Sequence, residues 1–169
     1  NDCTQIRNGV QSFVSFWDHH NPEFIACEQL VWSCNKDENN NLLLPFCGRI
    51  DLVIILDGKV TLADVKTSKV VKDNIKYQCQ MGIYKLLWDA MNPDMPIEQM
   101  GIIHANKTFR GSTPPKSVLQ FVKYKFDEDL VWDTYRMFLH CYPGFDAAAF
   151  NAKKEEAPKT FLYSGGANG

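Results

Sequence analysis

The chain has 169 residues, of which 45% are hydrophobic and 12% aromatic, so it can bury a sizeable core within the size of one domain. Its formal net charge of −2 gives no overall basic field, so any nucleic-acid binding would depend on a local patch or a bound metal. The sequence has no apolar run of roughly 20 residues and no signal-peptide pattern. These features exclude a membrane-spanning helix and predict an intracellular protein that is not secreted.

We expect a single domain over residues 1–169, with a flexible tail at 164–169. Because the chain begins with Asn1 rather than Met, we expect a processed form or a fragment whose upstream part is missing. The six cysteines form no CxxC pair or ligand-like cluster, so they are expected to be mostly reduced and buried.

Eight helices and strands are predicted from the spacing of apolar residues and from turn signals. In chain order they are a helix at about 5–17, strands at 24–33, 46–56 and 59–67, a helix at 73–91, strands at 99–106 and 117–125, and a helix at 128–141. The polar, asparagine-rich segment 35–41 is expected to be an exposed loop. This order predicts an α/β or α+β sandwich in which helices flank a mixed sheet.

The helices are predicted by apolar residues that recur at intervals of three and four. In the first helix these residues are Ile6, Val10, Phe13, Val14 and Trp17. The pair Asn21-Pro22 ends this helix. The second helix is expected to start at the N-cap Asp73 and to stop at Asn92-Pro93.

A hairpin is predicted between the second and third strands. Residues 52–56 are apolar at every position, which predicts a central strand covered on both faces. The Asp57-Gly58 pair that follows is a strong signal for a two-residue type I′ turn. Leu56 then pairs with Lys59, and the rest of the register follows.

This hairpin is expected to bring three charged residues together. Asp51 would lie directly opposite Asp64, and Lys66 would project from the same face as Asp64 because side chains alternate along a strand. Two facing carboxylates are unfavourable without compensation, and a divalent cation is the natural compensator. Mg²⁺ prefers such oxygens and also binds substrate phosphates, so the patch suits phosphodiester hydrolysis. Two alternatives are a structural ion pair through Lys66 and a register shifted by one residue.

Three motifs resemble those of a known nuclease family. Residues 48–51 (GRID), 64–66 (DVK) and 80–84 (QMGIY) match in order the GxxD, (D/E)xK and QxxxY motifs of PD-(D/E)xK nucleases of the RecB-like, lambda-exonuclease-like branch. The match covers about 24–88. The resemblance implies a restriction-endonuclease-like core.

The resemblance also implies roles for individual residues. Asp51 and Asp64 look like metal-binding catalytic acids for Mg²⁺ or Mn²⁺, Val65 would offer its carbonyl to the metal, and Lys66 looks like the catalytic lysine. Glu28, in the preceding strand, is a further candidate for catalysis and metal binding. The candidates for substrate binding are Gln80, Tyr84, Arg49, Thr67 and Ser68.

The function implied is a divalent-metal-dependent deoxyribonuclease, expected to be an exonuclease in DNA repair, recombination or replication. Its partners would be single- or double-stranded DNA and a helicase or recombination protein, in the cytoplasm, the nucleoid or a virus-infected host cell. An RNA endonuclease with the same metal site and a catalytically idle nucleic-acid-binding domain are alternatives.

Two features of the family are not visible in this sequence. The cysteines do not supply the set that an iron-sulfur cluster needs, so no cluster is expected. Many RecB-like exonucleases carry an upstream metal-binding histidine, for which no well-placed equivalent exists here. That histidine either lies in a missing upstream segment or is dispensable. His104 and His140 are expected to be structural.

Overall fold

The computed structural model describes residues 2–33, 46–68, 74–110 and 121–141. Three helices and five strands follow one another there in the predicted order. They are α1 (Asp2–His20), β1 (Glu23–Trp32), β2 (Cys47–Leu56), β3 (Lys59–Lys66), α2 (Ile75–Met91), β4 (Gln99–His104), β5 (Phe121–Tyr124) and α3 (Glu128–Cys141). The predicted α+β architecture with flanking helices is confirmed.

The five strands form one mixed sheet in the order β1-β2-β3-β4-β5. The pairs β1–β2, β2–β3 and β4–β5 are antiparallel, whereas β3 and β4 are parallel. A parallel pair needs a long crossover connection, and α2 lies within it. Helix α1 covers one face of the sheet. Helix α2, with α3 packed against it, covers the other.

The β2–β3 hairpin has the predicted register over the five ladder pairs from Leu56–Lys59 to Leu52–Ala63. Asp57 and Gly58 form its turn with φ angles of 54° and 73°. A type I′ turn needs positive φ at both positions, and this explains why the sequence DG specifies the hairpin.

Strand β2 is covered on both faces, as its apolar sequence predicted. Leu52, Ile54 and Leu56 pack on the α1 side with Phe16, which is fully buried. Val53 packs on the opposite side, in the core beneath α2. The hairpin is therefore a rigid base for charged residues at its open end.

Helix α1 buries only part of its apolar stripe, because Phe13 and Trp17 pack against the core and the other members are exposed. Ile6, Val10 and Val14 are 67%, 60% and 47% exposed. The polar residues Asn8 and Ser12 are buried instead. Their side chains donate hydrogen bonds to main-chain carbonyls of the segment after β4, which are those of Lys107, Phe109 and Asn106. These polar contacts fix the rotation of α1 on the sheet.

Two smaller expectations were wrong. The N-cap of α2 is Asn74, whose side chain accepts a hydrogen bond from the N–H of Lys76, and not Asp73. The five cysteines in the described ranges are all free thiols, but only Cys79 is buried. The exposed cysteines are Cys3, Cys27, Cys47 and Cys141. The loop at 35–41, the tail at 164–169 and the predicted strand positions 117–120 lie outside the described residues.

No helix in the described part of the chain is both long and apolar enough to cross a membrane.

Candidate active site

Asp64 and Lys66 lie on the face of β3 that α2 covers. Leu62, two residues before Asp64, packs in the core beneath α2, whereas Ala63 packs on the α1 side. Alternation along the strand then places Asp64 and Lys66 on the α2 side. Nζ of Lys66 lies 2.6 Å from Oδ2 of Asp64. The structure thus brings these two predicted site residues into an ion pair.

The carboxylate of Asp51 reaches the same region from the neighbouring strand. Its Oδ2 accepts a hydrogen bond from the N–H of Val65 at 3.1 Å. The regular ladder ends one pair earlier, at Leu52–Ala63. The Asp51 side chain, and not a main-chain carbonyl, therefore satisfies the backbone of β3 beside Asp64.

Strand β2 loses its regular alternation at Asp51. Ile50 packs in the core beneath α2, whereas Leu52 packs on the α1 side. Residues two apart in a regular strand share a face, so the chain is distorted between them. In β1, Glu28 lies between the residues that pair with Ile50 and Leu52, and its φ is 50°. Such a φ is uncommon for a residue other than glycine, and it marks a distortion at the same level of the sheet.

Burial and charge act against each other in this cluster. The pKa of Asp64 is raised, because burial and the charge of Asp51 together outweigh the lowering effect of the contact with Lys66. For Lys66, burial lowers the pKa, but the contacts with Asp64 and the charge of Asp51 together outweigh burial and raise it. The two acids and one ammonium carry a net negative charge when all three are ionised.

The donor set fits a divalent cation. Oδ2 of Asp64 is buried and, apart from the ion pair with Lys66, has no hydrogen bond of ordinary geometry from any described residue. The described ranges hold no cluster of three or more His, Cys, Asp or Glu side chains suited to a metal. The carboxylates of Asp51 and Asp64 are the side-chain candidates for metal ligands at this position, and the family resemblance adds the carbonyl of Val65. Mg²⁺ commonly takes only one or two carboxylates and completes its shell with water and substrate phosphates.

Glu28 contacts Arg49 rather than the two aspartates. Its Oε2 lies 2.9 Å from Nε of Arg49, and the two side chains are 60% and 66% exposed. In the β1–β2 ladder, Glu28 lies between the residues that pair with Ile50 and Leu52, at the same level of the sheet as Asp51. Arg49 is thus an exposed cation of β2 that is paired with Glu28.

The QxxxY motif of α2 contacts the GxxD motif of β2. Nε2 of Gln80 donates a hydrogen bond to Oη of Tyr84 at 3.1 Å. The ring of Tyr84 packs so closely on Gly48 that a Cβ there would clash with it. Only glycine therefore allows this approach of helix to strand.

Tyr77 is the residue whose place at the site was missed. Its position among the regularly spaced apolar residues of α2 indicates only a packing role, yet its ring centroid lies 5.2 Å from Nζ of Lys66. Its spacing was an available signal, because Tyr77, Gln80 and Tyr84 lie at i, i+3 and i+7 and share one face of a helix.

Thr67 and Ser68 follow the end of β3 and are exposed. His104 of β4 pairs with Lys66 in the ladder, and its Nε2 lies 2.6 Å from the carbonyl oxygen of Ser68. This contact requires the proton on Nε2. His104 thereby holds the segment after Lys66, which fits the structural role predicted for it.

A mixed five-stranded sheet with acids and a lysine on its hairpin defines a restriction-endonuclease-like protein. The chain belongs to the PD-(D/E)XK nuclease superfamily, whose family model matches residues 8–152. The match includes every predicted site residue. Members of this superfamily are nucleases, which hydrolyse phosphodiester bonds of nucleic acids and generally use divalent metals. No curated protein matches the chain.

Proposed function

We propose that this protein is a divalent-metal-dependent deoxyribonuclease of the RecB-like, lambda-exonuclease-like branch. The observation that carries the proposal is the meeting of Asp51, Asp64 and Lys66 beneath α2, where the buried carboxylate of Asp64 contacts the Lys66 ammonium and the charge of Asp51 raises the pKa of Asp64. One ammonium balances only one of the two carboxylates, and a divalent cation would compensate the other. The contact between Gly48 and Tyr84 supports the branch, because it joins two of its three motifs.

In this proposal Asp51, Asp64 and the Val65 carbonyl hold Mg²⁺ or Mn²⁺, which would neutralise phosphate charge and make the attacking water more acidic. Lys66 orients that water or stabilises the charge that develops on the phosphate. The residues proposed to bind the substrate lie on α2 and on the strands. Gln80 and Tyr84 face the site from α2, and Arg49, Thr67 and Ser68 supply donors at the strand ends.

Glu28 is proposed as a further acid of the site. Its carboxylate is bound to Arg49, so it would join a metal only after that ion pair opens. Substrate phosphate competing for Arg49 would free it. A Glu28→Gln variant with unchanged activity would remove Glu28 from the site.

We further propose that the enzyme is an exonuclease in DNA repair, recombination or replication, acting inside a cell beside a helicase or recombination partner. The motif order supports this proposal. An RNA endonuclease is the second candidate, because Asp51, Asp64 and Lys66 bind phosphate and metal and do not distinguish the sugar.

The test is incubation of the pure protein with end-labelled linear DNA, closed circular DNA and RNA of matched sequence, each with Mg²⁺, Mn²⁺ or EDTA. We expect linear DNA to be degraded from its ends, only with metal, while circles and RNA stay intact. Asp51→Asn should abolish cleavage. Asp57→Asn is the matched control, because Asp57 is an exposed turn residue at the other end of the same strand. Cleavage of circular DNA would indicate an endonuclease. Cleavage of RNA would indicate the second candidate, an RNA endonuclease. An absence of any cleavage would overturn the proposal.

A further inference from the structure

The Lys66 ammonium is held from two directions. Within β3 it pairs with Asp64, and from the helix above it meets the ring of Tyr77, 5.2 Å from the centroid. A cation at this distance over an aromatic face is attracted by the negative charge of the ring surface. The Lys66 side chain is 27% exposed, so water screens this attraction only in part.

The helix turn that carries Tyr77 is itself anchored. The carbonyl of Asn74 accepts hydrogen bonds from the N–H groups of Tyr77 and Gln78, at 2.9 and 3.1 Å. The Gln78 side chain donates to the carbonyl of Lys125 at 3.0 Å, which ties this turn to the end of β5. The ring is therefore presented by a fixed piece of backbone.

We propose that Tyr77 is a positioning residue whose ring fixes the Lys66 ammonium beside Asp64. This role rests on the nuclease activity proposed above. A lysine has four rotatable side-chain bonds, and a single ion pair restricts them poorly because the carboxylate can be approached from several directions. The Tyr77 ring blocks movement of the Lys66 ammonium toward α2, so Nζ remains over β3, where Asp51 and Asp64 meet. Gln80 and Tyr84 continue the same helix face toward Gly48.

A purely structural role for Tyr77 is the competing explanation, since its ring is half-buried and also packs against the core. Two substitutions separate these roles. Tyr77→Phe keeps the ring and removes the hydroxyl. Tyr77→Leu keeps an apolar side chain of helix-forming type and removes the ring. Packing alone predicts that both variants cut at the wild-type rate per folded molecule.

Positioning predicts that Tyr77→Phe cuts within about twofold of wild type, whereas Tyr77→Leu loses about tenfold in kcat with little change in KM. In a Lys66→Ala background, Tyr77→Leu should cause no further loss, because the group it positions is gone. A wild-type rate for Tyr77→Leu, or an equal loss with and without Lys66, would overturn the role.

A readout independent of cleavage separates this inference from the proposed function. Protons over an aromatic ring resonate upfield, so the ε-CH₂ signals of Lys66 should be shifted upfield in the wild-type protein. The shift should remain in Tyr77→Phe and vanish in Tyr77→Leu. Its absence from the wild type would refute the contact itself. If the shift is present and the wild type cuts no nucleic acid, the proposed function fails, and the positioning role fails with it.

Discussion

Lys66 has a negative neighbour in its own strand and an aromatic neighbour on the helix, so removing its side chain changes charge more than packing. Lys66→Ala leaves the proposed metal ligands Asp51, Asp64 and the Val65 carbonyl in place. We expect cleavage to fall by about 10² or more, the usual scale for losing a group that activates the nucleophile or stabilises developing charge. Single-turnover rate and melting temperature are measured on one sample. A variant that melts early but cuts normally would show a structural bridge instead.

The raised pKa of Asp64 has a consequence for stability without metal. Because the carboxyl of Asp64 binds its proton more tightly in the folded chain than in the unfolded chain, protonated Asp64 contributes to the stability of the fold. This contribution is fully present below the ordinary pKa of 3.8. That contribution is lost as pH rises through the raised folded-state pKa. Asp64→Asn has no charge to bury, so it should raise the melting temperature relative to wild type more at pH 7 than at pH 3.

Thermal melts in EDTA test this expectation, with Asp57→Asn as the control for a lost carboxylate on the same hairpin. Asp64→Asn should also be inactive in cleavage. If Asp64→Asn melted below wild type at pH 7 in EDTA, the carboxylate would be stabilising the fold, contrary to its burial.

For single helices and strands, a feature could be predicted when it depends on residues that are neighbours in the sequence. Asp57-Gly58 specifies the turn, and the turn specifies the β2–β3 register, so the ladder was predictable. The distortion at Asp51 was not, because it depends on how β1 and β3 both pair with β2. The prediction that Asp51 and Asp64 lie together assumed regular alternation along β2. In the structure, an irregular stretch of β2 brings them together.

The orientation of α1 illustrates a second limit. Its apolar spacing correctly predicted a helix, but in its first half the hydrogen-bonded Asn8 and Ser12 are buried instead of the apolar residues. Buried polar side chains need partners, and those partners come from the segment after β4, about a hundred residues away. A pattern read along one helix does not contain this information.

The close approach of α2 to β2 gives a prediction at this scale. Gly48→Ala places a methyl group against the ring of Tyr84, so we expect a loss of about 1–3 kcal/mol in the free energy of unfolding, the usual cost of overpacking. The loss should be smaller in a Tyr84→Leu background, where the ring is absent. Urea denaturation of the four proteins measures this coupling. Strictly additive losses would mean that Gly48 is needed for another reason.

For the whole molecule, a metal that binds only the folded chain must raise its stability. At a free concentration of 100 times Kd, Mn²⁺ should contribute about 2.7 kcal/mol, or about 5–10 °C in melting temperature for a domain of this size. Asp51→Asn should abolish the rise, whereas Asp57→Asn should retain it. Differential scanning fluorimetry measures the shift. An equal rise in Asp51→Asn would place the metal elsewhere.

The parallel pairing of β3 with β4 determines when the site can assemble during folding. The hairpin closes through two turn residues, and the contact of Asp51 with Val65 spans only 14 positions. The pairing of β3 with β4 joins Thr61 to Gln99, 38 positions apart, across α2. Loop-closure entropy delays such distant contacts. The two acids should therefore meet before α2 brings Tyr77 over Lys66. Pulse-labelled hydrogen exchange should accordingly protect amides of β2 and β3 earlier than those of β4, and simultaneous protection would contradict this order.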